Sequence, residues 1–159
     1  NIHPYTEYRS RKNCLVDYAK SIGLELILHG DYGLRPFVQT VADNIDGRCA
    51  YCYRVRMEET ARYAAEHGYD SFTTSLLISP YQNHEAIRVT AQAMGERYGV
   101  EFLYRDFRPL FQAGQEFARE HGFYMQKYCG CVFSEEDRYK KAILREKERF
   151  LEELDSFTL

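Results

Sequence analysis

No apolar run in this 159-residue chain approaches the length needed to span a membrane, and no secretory signal opens it. No low-complexity linker and no whole-domain repeat divides it. Nucleotide fingerprints are missing too. There is neither a GxxxxGK[ST] phosphate loop nor a GxGxxG strand–helix turn, which argues against ATP and dinucleotide cofactors. The GxSxG nucleophile elbow is also absent. A formal net charge of −3 supplies no global attraction for nucleic acid. Nor does a methionine stand at the first position.

What is present describes a globular chain. With 45% apolar and 28% charged residues it reads as one soluble domain, long enough to form a core without disulfide staples. Local basic clusters occur at Arg9, Arg11 and Lys12 and again at Arg105 and Arg108. Such clusters either contact phosphates or form solvated faces. Fourteen tyrosines and ten phenylalanines supply core, rim and stacking surface.

Helical patterns run over about Glu7–Ile22, Arg35–Ala42, Cys49–His67, His84–Tyr98 and Gly114–His121. Three of them end in glycine, at Gly23, Gly68 and Gly99, and lead into short strand-like runs. These runs are Glu25–His29, Ser71–Ser75 and Glu101–Tyr104. The alternation predicts an α/β fold, a three-layer Rossmann-like domain with a mainly parallel sheet. It forms a single domain over 1–159. Ser134-Glu135-Glu136-Asp137 resembles a capping box and opens a terminal helix to about Leu154. Ile143, Leu144, Phe150, Leu151 and Leu154 are expected on its core face. The first regular element is a helix of crossover type, which calls for a strand before it. The expectation is that N-terminal strand structure is missing from the sequence.

Four of the five cysteines fall into two tight pairs, and this pattern reads as intracellular metal or redox chemistry. Cys49 and Cys52 enter a helix three residues apart, so both face the same side and can reach one metal ion or one cluster edge. Thiolates suit zinc, copper(I) and iron–sulfur clusters. Arg48, Arg54 and Arg56 flank the pair with positive charge. Cys129-Gly130-Cys131 fits two readings equally by spacing, a strained redox-active disulfide or zinc ligation, and a tetrathiolate zinc from both pairs is a further possibility. The preceding Tyr124–Tyr128 segment suits substrate contact. Cys14 reads as a small buried hydrophobe.

In open α/β sheets, ligands bind beyond the carboxyl ends of the strands. Candidate segments there are Gly30-Asp31-Tyr32, Leu76–Tyr81 and Arg105–Arg108, with Asp31 a possible metal ligand or proton donor and Asn83 placed to cap the next helix. His67 and His121, both in Glu-His-Gly at helix ends, read as structural.

Four stretches then carry a family resemblance. They are NIHPYTEY at 1–8, GRCAYCYR at 47–54, FTTSLLISPY at 72–81 and QKYCGC at 126–131. Together the chain resembles the QueH class of epoxyqueuosine reductases. The resemblance implies a Rossmann-like α/β fold, a [4Fe-4S] cluster and reduction of epoxyqueuosine to queuosine in tRNA, the last step of queuosine synthesis. By position, Cys49 and Cys52 match two cluster ligands, and Cys129 and Cys131 match a redox-active pair. Cys14 matches no motif. The family's other two ligands are adjacent cysteines near an N-terminal strand, and this sequence starts after them. The chain as given is therefore expected to be inactive without such a segment.

Turning an epoxide into an alkene needs two electrons, two protons and a destination for the oxygen. A cluster passes electrons singly, while a CxC dithiol delivers two by closing to a disulfide. An additional iron with an open position would act as a Lewis acid on the oxygen. Asp31 or a tyrosine is the candidate proton donor. The implied partners are tRNA carrying epoxyqueuosine and an electron donor, with no membrane, in the cytoplasm. The competing readings are a zinc-binding structural or RNA-binding module and an ATP-using tRNA-thiolating enzyme, the latter disfavoured by the absent phosphate loop.

Overall fold

Helices dominate the described chain. A computed structural model describes residues 1–28 and 31–157, with side chains to residue 154. The helices are α1 (Tyr5–Ser21), α2 (Leu34–Val41), α3 (Arg48–Glu66), α4 (His84–Tyr98), α5 (Phe111–Glu120) and α6 (Val132–Phe157). Strands β1 (Ser71–Phe72) and β2 (Glu101–Phe102) pair in parallel, with Ser71 opposite Glu101 and Phe72 opposite Phe102. This is a mostly helical α/β chain with a small parallel sheet, and α4 connects the two strands.

Gly23, Gly68 and Gly99 follow α1, α3 and α4 as their spacing predicts, with φ of 66°, 71° and 71°. At Gly99 the left-handed turn lets Val100 N–H donate to the Gly95 carbonyl at 3.0 Å, which drops the chain into β2. Asn83 caps α4 as expected, its side chain accepting from Ala86 N–H at 2.9 Å. Helix α5 starts three residues earlier than the periodicity suggests. Pro109 lies in a 3-10 turn, Arg108–Leu110, that feeds straight into it.

The described residues form two compact units, one of Pro36–Phe123 and one of Asn1–Arg35 with the chain from Tyr124 onward. In the first of these, Tyr53, Met57, Ala61 and Ala64 make one buried face of α3, and Ile87, Ala91 and Gly95 make that of α4. Met57 and Ile87 are fully buried, each contributing on the order of 1.5–3 kcal/mol. Gly95 is required by close approach: a Cβ there would lie 2.5 Å from the Val100 carbonyl oxygen. Phe72 and Phe102 meet across the strand pair at 5.3 Å between ring centres.

β1 is shorter than the expected Ser71–Ser75. The Thr74 hydroxyl accepts from Leu76 N–H at 3.3 Å and turns the chain into a 3-10 helix, Ser75–Ile78, which buries Leu77. Of the expected strand at Glu25–His29, His29 lies outside the described residues. Residues 25–28 are not a strand, and Leu24, Ile27 and Leu28 are 45–59% exposed. Apolar alternation marks a segment able to pair, but a strand exists only where another backbone takes its hydrogen bonds.

In the unit that holds both chain ends, Tyr32 packs edge-on against His3 and Tyr5 at 5.4 and 5.7 Å, beneath the start of α1. Helix α6 begins at Val132, so Ser134 lies inside its first turn rather than at a capping position. The five apolar positions expected on its core face are 46–59% exposed. An amphipathic pattern identifies a face that can be buried; it does not supply the surface that buries it.

Candidate functional site

The two cysteine pairs sit in different local settings. At Cys49 and Cys52 the setting begins with a turn, in which the Asn44 side chain accepts from Gly47 N–H at 3.0 Å. Asn44 folds so closely over Gly47 that a Cβ there would lie 2.5 Å from its amide nitrogen. The turn fixes where α3 starts and places both cysteines within its first two turns, Cys49 exposed and Cys52 half-buried. Two of the flanking arginines are engaged locally: Arg48 donates to the Ile45 carbonyl at 3.1 Å, and Arg54 bonds Glu58 at 3.2 Å and lies over the Tyr51 ring.

Tyr53, next to Cys52, ties this end of α3 to the segment after β1. Its hydroxyl donates to the Gln82 side chain at 2.8 Å and accepts from Asn83 N–H at 3.3 Å. Nearby, His84 is buried between the Ser79 carbonyl, 3.1 Å from Nε2, and the Tyr104 hydroxyl, 3.3 Å from Nδ1. Nε2 donates to the carbonyl, and Nδ1 pairs with the tyrosine hydroxyl. Asp106 is held down to about 2 by side-chain and backbone hydrogen bonds from Arg108. The cysteines of α3 thus lie toward the carboxyl end of the parallel pair, the end where α/β sheets bind ligands. An open groove lined by Gln92, Gly95, Glu96 and residues 99–102 lies at the other end of β2 and contains no cysteine.

Around Cys129-Gly130-Cys131 all three carbonyls and the Gly130 N–H have partners. Arg11 donates from Nη1 to the Cys129 carbonyl at 2.7 Å and from Nη2 to the Tyr128 carbonyl at 2.8 Å. The Gly130 carbonyl accepts from His3 N–H at 2.7 Å, and Gly130 N–H donates to the Ser134 hydroxyl at 3.1 Å. That hydroxyl donates to the Cys131 carbonyl at 2.7 Å, which also accepts from Ser134 and Glu135 N–H. Neither cysteine is joined in a disulfide; Cys129 is exposed and Cys131 half-buried. Gly130 is buried without a positive φ; a Cβ there would sit 3.3 Å from the Asn1 carbonyl and 3.7 Å from Arg11. The glycine therefore serves close approach rather than backbone freedom.

Behind the loop, the 8%-exposed Glu7 bonds Arg11 at 2.7 Å and accepts from the Tyr124 hydroxyl. Tyr128 donates to the His3 carbonyl at 2.8 Å, and the Arg11 guanidinium lies against its ring. The hydrogen bond to Glu7, then burial, pushes Tyr124 up. Burial first, then the Glu7 charge, pushes Tyr128 up to about 12. The hydroxyls of Tyr124 and Tyr128 are therefore structural, not free for a substrate as the polar, aromatic sequence there suggests. Arg11 likewise turns inward, although its neighbours Arg9 and Lys12 make it look like part of a basic surface.

Glu7, Arg11 and Ser134 are the residues that the sequence did not single out as belonging to the loop. The four-residue spacing of Glu7 and Arg11 was visible, but nothing local indicates a carbonyl 118 positions away. Asp31 is exposed in the connection between α1 and α2, beside Tyr32. Cys14 is half-buried in α1. His67 and His121 are structural as expected, each ring bonding the carbonyl one turn back, at 2.9 and 2.8 Å, and stacking on Tyr63 and Phe117. Among the described residues no three His, Cys, Asp or Glu side chains gather as a metal-binding group.

A family model described as epoxyqueuosine reductase QueH matches residues 1–137. The chain belongs to the QueH family. Its QueH relatives include the epoxyqueuosine reductase QueH of Dehalococcoides mccartyi, 39% identical over 141 residues that cover 89% of this chain and 78% of that protein. The protein of the same name from Thermotoga maritima is 35% identical over 151 residues, with the same two coverages. The Helicobacter pylori QueH is 34% identical over 84% of this chain and 39% of its own length. The family match takes in both cysteine pairs and stops within the second turn of α6. No helix among the described residues is long and apolar enough to cross a membrane.

Proposed function

We propose that this chain reduces epoxyqueuosine to queuosine in tRNA, with Cys129 and Cys131 as the two-electron couple and Cys49 and Cys52 as thiolate ligands of a [4Fe-4S] cluster. Membership of the QueH family supports the reaction. The observation that supports the division of labour is the state of the two pairs. One enters a helix on a single face, and the other stands in a loop whose carbonyls and Gly130 N–H are held by Arg11, His3 and Ser134.

The chemistry balances on the dithiol. Two thiols closing to one disulfide release two electrons and two protons. An epoxide that takes up both becomes an alkene and water. A donor outside this chain must then return the disulfide to the dithiol. The donor set on α3 fits a cluster edge: two soft ligands, three residues apart on one face, neither closed off by burial. When bound, a cluster there supplies one-electron transfer, and an additional iron would supply Lewis acidity. Two thiolates are half of a four-thiolate set. Asp31 is proposed to deliver a proton to the oxygen, since the hydroxyls of Tyr124 and Tyr128 are already donating elsewhere. The parallel pair with α3 and α4 on it is proposed as part of a three-layer, Rossmann-like sheet in a cytoplasmic protein.

The test is metal content beside turnover. Iron, sulfide and zinc are measured after anaerobic purification in the wild type, Cys49→Ala and Cys129→Ser. Iron and sulfide that fall in Cys49→Ala but stay in Cys129→Ser, with turnover lost in both, are expected. Stoichiometric zinc without iron, or equal metal loss in both variants, would instead describe a zinc module.

A further inference from the structure

Arg11 is placed for a task that the reaction alone does not require. Its guanidinium is 14% exposed and uses its donors in two directions. Toward α1 it bonds Glu7, which the Tyr124 hydroxyl also bonds. Toward the loop it bridges two successive carbonyls, those of Tyr128 and Cys129. A rigid planar fork can hold two adjacent acceptors at once; a single ammonium cannot fix both. The Glu7 anchor fixes the fork itself, so the loop is referenced to α1 rather than to its own flexible neighbours.

These contacts are made with the pair open, because neither Cys129 nor Cys131 is joined in a disulfide here. An interaction made in one of two states stabilises that state by whatever part of it the other state lacks. Closing an 11-membered CxC ring requires the backbone between the sulfurs to adapt, and that backbone is what Arg11, His3 and Ser134 hold.

We propose that Arg11 is a positioning residue of the Cys129–Cys131 pair, holding the loop in its dithiol conformation and so setting how readily the pair closes to a disulfide. This rests on Cys129 and Cys131 being the redox couple. Disulfide closure against oxidised glutathione is balanced: two protein thiols and one glutathione disulfide give one protein disulfide and two glutathione thiols.

The experiment equilibrates the purified full chain in anaerobic glutathione buffers of graded ratio, quenches with an alkylating agent and counts free Cys129 and Cys131 by peptide mass. The wild type, Arg11→Met, Arg11→Lys and Ser134→Ala are compared. Arg11→Met is expected to close at an oxidised-to-reduced ratio about tenfold lower than the wild type, roughly the loss of one charge-assisted hydrogen bond. Arg11→Lys should resemble Arg11→Met, because charge without the fork cannot bridge the carbonyls. Ser134→Ala, which leaves no buried charge behind and keeps the inference testable if Arg11→Met does not fold, should shift the same way by a smaller factor. A wild-type ratio in both Arg11→Met and Ser134→Ala, a shift to higher ratio, or a wild-type value in Arg11→Lys would each overturn the inference. A wild-type pair that forms no disulfide at any ratio would instead overturn the redox couple on which it rests.

Discussion

Tyr124 and Tyr128 show how single side chains in the cysteine loop respond to pH. Both are held neutral by their surroundings, Tyr124 chiefly by its bond to Glu7 and Tyr128 chiefly by burial. A folded-state value of about 12 for Tyr128 lies above the ordinary phenol value of about 10. Its contribution to stability is therefore fully present below about pH 10 and is lost as pH rises toward 12. Urea unfolding between about pH 8 and 11.5 should show stability falling more steeply in the wild type than in Tyr128→Phe. That variant starts lower by about 1 kcal/mol for the lost bond to His3. Parallel slopes would show that Tyr128 ionises as freely in the fold as in the unfolded chain. Glycines give a second contrast at the same scale. Gly95→Ala drives a methyl into the Val100 carbonyl and should cost about 1–3 kcal/mol. Gly114→Ala, inside α5 with only the Ile78 methyl at 3.6 Å, should be neutral or stabilising by up to about 1 kcal/mol. Urea midpoints of the two variants check both.

Helices were legible because their signals are local. Gly23, Gly68 and Gly99 mark helix ends, and Asn83 a start, by backbone chemistry that needs no distant partner. Asn83→Ala should accordingly lower stability by about 1 kcal/mol through α4, read as a urea midpoint shift without a change in slope. An unchanged midpoint would mean the Ala86 N–H finds another acceptor. Strands were less legible. Thr74 shortens β1 with a side-chain bond that competes with pairing, and residues 25–28 have the strand pattern without a described partner. The α6 start was misplaced for a similar reason, since Ser134 serves Gly130 and Cys131 rather than the helix N-terminus. At the site, Cys49 and Cys52 could be put on one face from spacing alone. The clamp on the other pair joins Glu7 and Arg11 to residues more than a hundred positions away, and no local pattern carries that information.

At the scale of the whole chain, the family match covers both cysteine pairs, and the proposed chemistry gives each a separate task. The central claim is that the two electrons reaching the epoxide leave from Cys129 and Cys131. A single-turnover experiment tests it directly. The reduced protein is mixed with excess tRNA carrying epoxyqueuosine and no external donor, then quenched by alkylation, and queuosine and free thiols are counted in the same sample. One queuosine formed for each Cys129–Cys131 disulfide, with no queuosine from Cys129→Ser, is the predicted result. Queuosine formed while both thiols remain open to alkylation would contradict it.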